Sequence, residues 1–390
     1  MTESKKSLLH GYRALDLSSV GPASRAARML ADYGVEVIKV APLARHSGVQ
    51  IEPVFHAYGA GRGFKKIRLD LKSERGRDLF LQLADGADIV LESFRPGVVR
   101  RLGIDYDTLR ARNPGIVYCA TSGYGQNGPC ADWAGHDINY LAMSGFLATS
   151  GRDGDGLPVL PGATVADSAG GGMHAVLAIL AALLERARSG CGTYLDVAAT
   201  EGVLALMSLP IDQYLATGEA TRPGSSLLTG RYACYGVYPT RDGKALSVGA
   251  IEPHFFANLC RLLGLEAYSD AQLDDARQPE LRAALRAKFL ERDRDDWAAA
   301  LAGFDTCVAP VLEIDEVAQC PQFRERGLFA GARRAAAPFE QLGALLAGTT
   351  LPGAVHEVAA AGHTDTRELL RAMGMSDAHI GQLLDDGIAQ

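Results

Sequence analysis

The sequence predicts an α/β fold: a large domain built on a parallel sheet, followed by a smaller α+β domain. Three observations predict it. Short β-branched runs alternate with helical segments of about ten to fifteen residues through the first half, the signature of βαβ units. The character changes past Arg222, where a Pro223-Gly-Ser-Ser linker precedes a hairpin pattern. The chain has 390 residues, which suits two domains better than one.

The elements follow in order. Residues 13–18 read as a short buried strand. Pro22 opens a helix through Tyr33, and Gly34 stops it. Residues 35–40 form a second strand and residues 67–71 a third. A helix spans 73–85 with Ser73 as N-cap. Strands follow at 87–92 and 115–121. Asp167 begins the longest helix, running to about Arg188, with Gly170, Gly171 and Gly172 in its first turns. Residues 194–197 are a further strand. In the second domain, residues 235–249 are two strands around the turn Arg241-Asp-Gly-Lys244. Helices are expected at 253–264 and 279–303. From Cys307 onward the chain reads as a mixed tail, with a helix near 364–373 capped by a threonine. The expected divisions are 1–222 for the large domain, 223–320 for the small one, and 321–390 for a segment returning to the large domain.

Bulk properties exclude several classes. Hydrophobic residues make up 47% of the chain, ordinary for a globular protein with a core. The formal charge is −7, from 39 basic and 46 acidic residues, which argues against nucleic acid as a partner. The seven cysteines form no CxxC pair, so neither a disulfide framework nor a zinc ribbon is expected. No His/Cys/carboxylate spacing suggests a metal. Residues 1–9 do not read as a signal peptide, and the longest apolar stretch, near 175–184, is too short to span a bilayer. A cytoplasmic protein with no membrane partner is expected.

A parallel sheet places ligands beyond the carboxyl ends of its strands, so the loops after Val40, Glu92 and Thr121 come first. Gly123-Tyr-Gly-Gln-Asn-Gly128 matches GxGxxG after a strand. Pro129 follows at once, no helix opens there, and no ribose-binding acid follows in a matching strand. A glycine-rich loop shaping a pocket, through Gly123, Gly125 and Gly135, is the better reading. His136 then lies at the expected ligand edge. A lone histidine is usually structural, but here it is placed to exchange a proton near neutral pH. Asp167, by base rate a plain helix cap, precedes a glycine turn whose amides could cradle an anion. Glu252, between a strand and a helix, either complements the helix dipole or orients a histidine. Basic residues cluster at Arg62, Lys65, Lys66 and Arg68, then at Arg95, Arg100 and Arg101. They form either a solvated face or contacts to a phosphorylated handle. No Walker motif is present.

Six spaced motifs resemble one family over most of the chain. Phe94-Arg-Pro-Gly97 with Arg101-Leu-Gly is similar to its arginine-proline-glycine element, and Gly123–Pro129 to its glycine loop. Gly135-His-Asp-Ile-Asn-Tyr140 is similar to the GHDINY element of α-methylacyl-CoA racemases. Asp167-Ser-Ala-Gly-Gly-Gly172 is similar to their Asp-x-x-Gly-Gly-Gly turn. Val248-Gly-Ala-Ile-Glu-Pro253 and Thr306-Cys-Val-Ala-Pro-Val-Leu312 complete the set. The family is the family III CoA-transferases of CaiB/BaiF type, and the closest branch is the racemases. The resemblance implies a Rossmann-like parallel-sheet large domain with a smaller α+β domain, in an interlocked, ring-like homodimer. It implies an acyl-CoA substrate and no further cofactor, coenzyme A being part of that substrate. His136 and Asp167 match the two bases that remove and return an α-proton, and Glu252 matches the glutamate that pairs with the histidine. Arg62, Lys65, Arg95, Arg101, Gly123, Gly125, Gly135 and Asp137 are expected around the coenzyme A. The alternative is a CoA-transferase in which Asp167 attacks the thioester and carries the acyl group as an anhydride. A catalytically idle CoA-binding protein is a third reading.

The chain departs from the family pattern at three places. Val40-Ala41-Pro42-Leu43 stands where the family often has an arginine packed on adenine, and the nearest arginine is Arg45. The NRGKR element is reduced to Gly61-Arg-Gly-Phe-Lys65. The DGGAP run is replaced by Thr229-Gly-Arg-Tyr-Ala-Cys234.

Overall fold

A computed structural model describes residues 7–44, 61–335, 337–349, 355–360 and 362–390. Arg45 therefore lies outside the described residues. The chain divides into two compact units. One holds residues 1–144, 161–208 and 322–390; the other holds 145–160 and 209–321. The smaller unit thus starts before residue 223 and also takes in a segment from the middle of the first half.

The larger unit is built on six parallel strands: β1 (Arg13–Asp16), β2 (Glu36–Ala41), β3 (Lys65–Arg68), β4 (Ile89–Glu92), β5 (Val117–Ser122) and β6 (Tyr194–Ala198). They lie in the order β3-β2-β1-β4-β5-β6. Neighbouring residues on one strand point to opposite faces. Ala14, Val37, Ile89, Val117 and Cys119 enter one core; Leu15, Ile38, Val90 and Tyr118 enter the other. Both faces are covered, and the central strands β4 and β5 are buried almost throughout, whereas the edge strands β3 and β6 keep charged or exposed residues.

Helix α1 (Pro22–Asp32) starts with its proline in the first turn and buries Ala23, Ala26, Ala27 and Leu30. The helix Glu74–Asp85 has the expected cap, the Ser73 side chain accepting the Gly76 amide at 3.0 Å. Helix α2 (Asp137–Met143) follows the glycine loop. The expected long helix begins not as an α-helix but as a π-helix, Ala166–Met173, continued by α3 (His174–Ser189). Together they span 24 residues, long and apolar enough by composition to cross a membrane. Their buried stripe of Ala175, Val176, Ile179, Ala182 and Leu183 lies in the sheet's core, which accounts for that apolarity. Helix α4 (Ala199–Leu206) follows β6. The C-terminal segment adds a three-stranded sheet (Phe329–Arg334, Ala337–Leu342, Val355–Glu357) and two helices, with Leu369, Leu370, Ile380 and Leu383 in the second core.

The smaller unit contains the expected hairpin, Tyr235–Pro239 against Ala245–Gly249, to which Val308–Pro310 adds a third strand. The helix expected over 279–303 is two, Gln278–Phe289 and Arg294–Leu301. Asp293 is extended between them, and Arg294 is buried, its guanidinium bidentate on Glu316 at 2.6 and 2.7 Å. The helix near the C-terminus is Thr366–Ala372, and its cap position is Asp365 rather than a threonine.

Candidate active site

The strand order reverses between β1 and β4, and the carboxyl ends of these strands open the crevice that such sheets use for ligands. A cleft of about 490 Å³ lies there. Ser18, Ala41, Pro42, Ser93 and Phe94 line it, with Lys39, Lys66, Arg68 and Lys72 as its cations. Lys39 is committed at its base: its ammonium meets the buried Asp16 carboxylate at 2.8 Å and Ser18 Oγ at 3.2 Å. Arg68 donates to the Pro42 carbonyl at 3.0 Å, across the segment where the family pattern is lost.

A second cleft, of about 410 Å³, shares Ser93 and Phe94 with the first and runs along the glycine loop to His136. The glycines are there because of Tyr140. A Cβ on Gly123 would lie 2.2 Å from the Tyr140 ring, and one on Gly135 would lie 2.7 Å from it. The Tyr140 hydroxyl donates to the Gly135 carbonyl at 2.6 Å, and its ring meets Tyr124 edge-on at 5.2 Å. Burial, then the charge of Asp167, pushes the Tyr140 phenol up to about 12. The loop is thus a pocket wall, not a dinucleotide fingerprint: it follows β5, and the turn after β1 carries a single glycine, Gly21.

His136 occupies the N-cap of α2 in extended backbone, its amide donating to Asn139 Oδ1 at 3.0 Å, and it lines the cleft. The next residue links it to the second candidate. The Asp137 carboxylate accepts the backbone amide of Asp167 at 2.8 Å, pinning the start of α2 to the first turn of the π-helix. Asp137, expected beside the coenzyme A, is thus engaged with Asp167. Burial, then the neighbouring Asp137 charge, raises the Asp167 carboxyl above the usual range; Arg25 and His136 oppose the shift. His136 is thus close enough to Asp167 for its charge to act on the carboxyl. Arg25, on α1, also reaches Thr164 Oγ1 at 3.3 Å. Nothing in the sequence distinguished it from any other arginine on an amphipathic helix.

The three glycines after Asp167 have a different role from the anion cradle expected of them. A Cβ on Gly171 would lie 2.5 Å from Pro22, one on Gly172 2.8 Å from Arg25, and one on Gly170 2.7 Å from the Ala199 carbonyl. They let the π-helix lie between α1 and α4, and all three are buried. The closest approach is at Gly202 of α4, whose Cβ would stand 1.7 Å from the Gly170 carbonyl.

The basic cluster divides. Lys66 and Arg68 reach the first cleft, and Arg95 lines the second. Arg101 is exposed on the helix Val98–Leu102. Arg62 and Lys65 are not brought to either cleft, because they precede or begin β3 and so stand at the opposite edge of the sheet. Arg62 is 7% exposed, held by Asp32 at 3.1 Å and the Leu342 carbonyl at 2.8 Å. Lys65 is paired with Glu36 and Glu368. Glu252 belongs to the other compact unit, at the N-cap of Pro253–Leu263. There it faces Cys307, a non-glycine residue at φ 50, whose thiol is raised by burial and then by the Glu252 charge. No group of His, Cys, Asp and Glu among the described residues could hold a metal ion.

The fold and this site define an α/β protein with two adjoining clefts at the carboxyl edge of its parallel sheet. The sequence model described as CoA-transferase family III matches residues 9–364. The chain is 35% identical over 387 residues to the alpha-methylacyl-CoA racemase of Homo sapiens, covering 98% of this chain and 97% of that one. It is 32% identical over 346 residues to the succinate–glutarate CoA-transferase of Agrobacterium fabrum, covering 83% and 85%. The crystal structure of a CAIB/BAIF family protein from Brucella suis superposes with a TM-score of 0.75 at 27% identity, covering 94% of this chain and 99% of that one. The protein belongs to CoA-transferase family III and is an enzyme of that transferase and racemase superfamily.

Proposed function

We propose that the protein is a racemase of 2-methylacyl-CoA thioesters. The observation that carries this reading is the coupling of His136 to Asp167, through the Asp137 carboxylate on the Asp167 amide and through charge. A transferase needs a nucleophile but no second base. In the proposed reaction one of the two, in its basic form, takes the α-proton. The C–H electron pair moves into the thioester carbonyl to give an enolate, and the other residue, in its acid form, returns a proton to the opposite face. A carboxyl raised above the usual carboxylate range suits that exchange of roles. The coenzyme A handle would occupy the first cleft, with Arg68 and Lys72 towards its phosphates and the thioester carried past Phe94 towards His136. Glu252 would orient the histidine in a homodimer. Exposed Leu177, Leu184, Leu204 and Leu206 supply apolar surface for such an assembly.

The rival reading is CoA transfer through an acyl anhydride on Asp167, supported by the likeness to the succinate–glutarate CoA-transferase. One experiment separates them. The enzyme is incubated in heavy water with a 2-methylacyl-CoA and no carboxylate acceptor. α-Deuterium incorporation with loss of chirality, abolished in His136→Ala, is the expected result. No exchange, with transfer on adding succinate and a hydroxylamine-trapped acyl group on Asp167, would replace the racemase reading.

A further inference from the structure

Beneath the two clefts lies an acid that the proposed chemistry does not use. Glu92, the last residue of β4, is 2% exposed. Its Oε2 accepts the Phe94 amide at 2.6 Å. Phe94 and Ser93 are the residues shared by both clefts, and Arg95 and Pro96 continue the wall of the second. Two strands away, in the middle of β6, Asp196 Oδ2 accepts the Gln126 amide at 3.0 Å and so holds the glycine loop. Each carboxyl thus holds by a backbone amide a segment that contributes to the second cleft: Glu92 holds Phe94, and Asp196 holds the loop that begins with Gly123 and Tyr124.

We propose that Glu92 is a positioning residue for acyl-CoA binding, its carboxyl holding the Phe94 amide and so fixing the wall that joins the handle cleft to the reaction cleft. This rests on the acyl-CoA reading of the site. The groups that face Glu92 favour the neutral form. They are Asp196 and Tyr194 on β6 and Tyr118 and Cys119 on β5, and none is a cation. On the β1 side Asp16 pairs in register with Leu91, and its own charge is met by Lys39. Burial pushes the Glu92 carboxyl up to about 7; the Phe94 amide opposes the shift and the charge of Asp196 adds to it. A carboxylate formed there keeps the Phe94 amide as donor but has no counter-ion, and its remaining acceptor sites need water, which enters only where the wall parts. The sign follows. The folded protein holds a proton on Glu92 between the ordinary carboxyl range and about pH 7, so stability falls as pH rises through that window, and wall order falls as Glu92 ionises from about pH 7 upward.

The test uses the full-length protein with acetyl-CoA as the probe, because binding reports the cleft whichever reaction follows. Glu92→Ala is expected to speed hydrogen exchange of the amides at 93–97 and to weaken acetyl-CoA about tenfold, with a smaller change in turnover. Glu92→Gln, which keeps an acceptor and cannot ionise, is expected to restore protection and binding and to give a Kd that stays flat from about pH 6 to 8.5, where the wild type weakens above about pH 7. Unchanged exchange in Glu92→Ala, or a Gln variant whose Kd follows the wild-type pH dependence, overturns the proposal. If Glu92→Ala does not fold, the pH dependence of Glu92→Gln decides. If the wild type binds no acetyl-CoA, the acyl-CoA reading fails, and amide exchange at 93–97 across the same pH range still decides whether Glu92 fixes the wall.

Discussion

The Asp137 carboxylate accepts the backbone amide of Asp167 at 2.8 Å, so two helix starts thirty residues apart are fixed to each other by one buried-side hydrogen bond. That bond places His136, the preceding residue, and Asp167 in one electrostatic environment. It also makes Asp137 the residue through which their pH response can be tuned.

The first prediction uses that handle. Asp137→Asn keeps an oxygen to accept the Asp167 amide but removes the like charge that helps raise the Asp167 carboxyl. The Asp167 pKa falls, and the acid limb of kcat/KM, where an ionised Asp167 is required, moves to lower pH. Asp137→Ala loses the acceptor as well and should lower kcat at every pH. Rate profiles for α-proton exchange distinguish the two variants.

A second prediction concerns packing. Gly202→Ala sets a methyl 1.7 Å from the Gly170 carbonyl, a backbone atom that cannot swing aside. The substitution should cost at least about 3 kcal/mol, the upper end for an overfilled contact. Urea unfolding monitored by circular dichroism gives the value; a cost under about 1 kcal/mol would mean that the two helices part easily.

Arg62 provides a third. Because its guanidinium is buried against Asp32 and the Leu342 carbonyl, Arg62→Met should destabilise the protein by about 2–3 kcal/mol. KM for an acyl-CoA should stay within about twofold, since the side chain stands at the far edge of the sheet. A large rise in KM with unchanged stability would return Arg62 to the binding surface.

Arg68 and Lys72 give a fourth. Alanine at either position should raise KM for the intact thioester about tenfold and leave kcat nearly unchanged. The same variants assayed with a thioester lacking the 3′-phosphate should show a smaller change. Equal losses with both substrates would place the phosphate elsewhere.

The layered half of the molecule was legible from sequence because its physics is local. Short apolar and β-branched segments between helices mark the strands, and the six expected segments fall on the six observed strands within about three residues. Ser73 and Pro22 mark helix starts by chemistry that neighbouring residues supply. His136 and Asp167 could be picked out by motif and by their place after a strand and at a helix start. Their coupling could not, because it runs through Asp137 between segments thirty residues apart. The basic cluster misled for a related reason: Lys65 and Lys66 are adjacent in sequence, but Lys65 begins β3 and pairs with Glu36, while Lys66 lines the cleft. The glycine triplet invited an electrostatic role, whereas the constraint is steric and comes from α1 and α4. The break at Asp293 depends on burying Arg294 against Glu316, a contact that no local pattern announces.

The two clefts meet only at Ser93 and Phe94. One side of that junction is built from the ends of the first three strands, the other from the glycine loop and α2. On the proposed acyl-CoA reading, grip on a common carrier and choice of cargo are therefore modular. Substitutions at Tyr124 or Trp133 would then retarget the acyl group while leaving the carrier end intact, and a library confined to those two positions would explore new cargo on an unchanged handle.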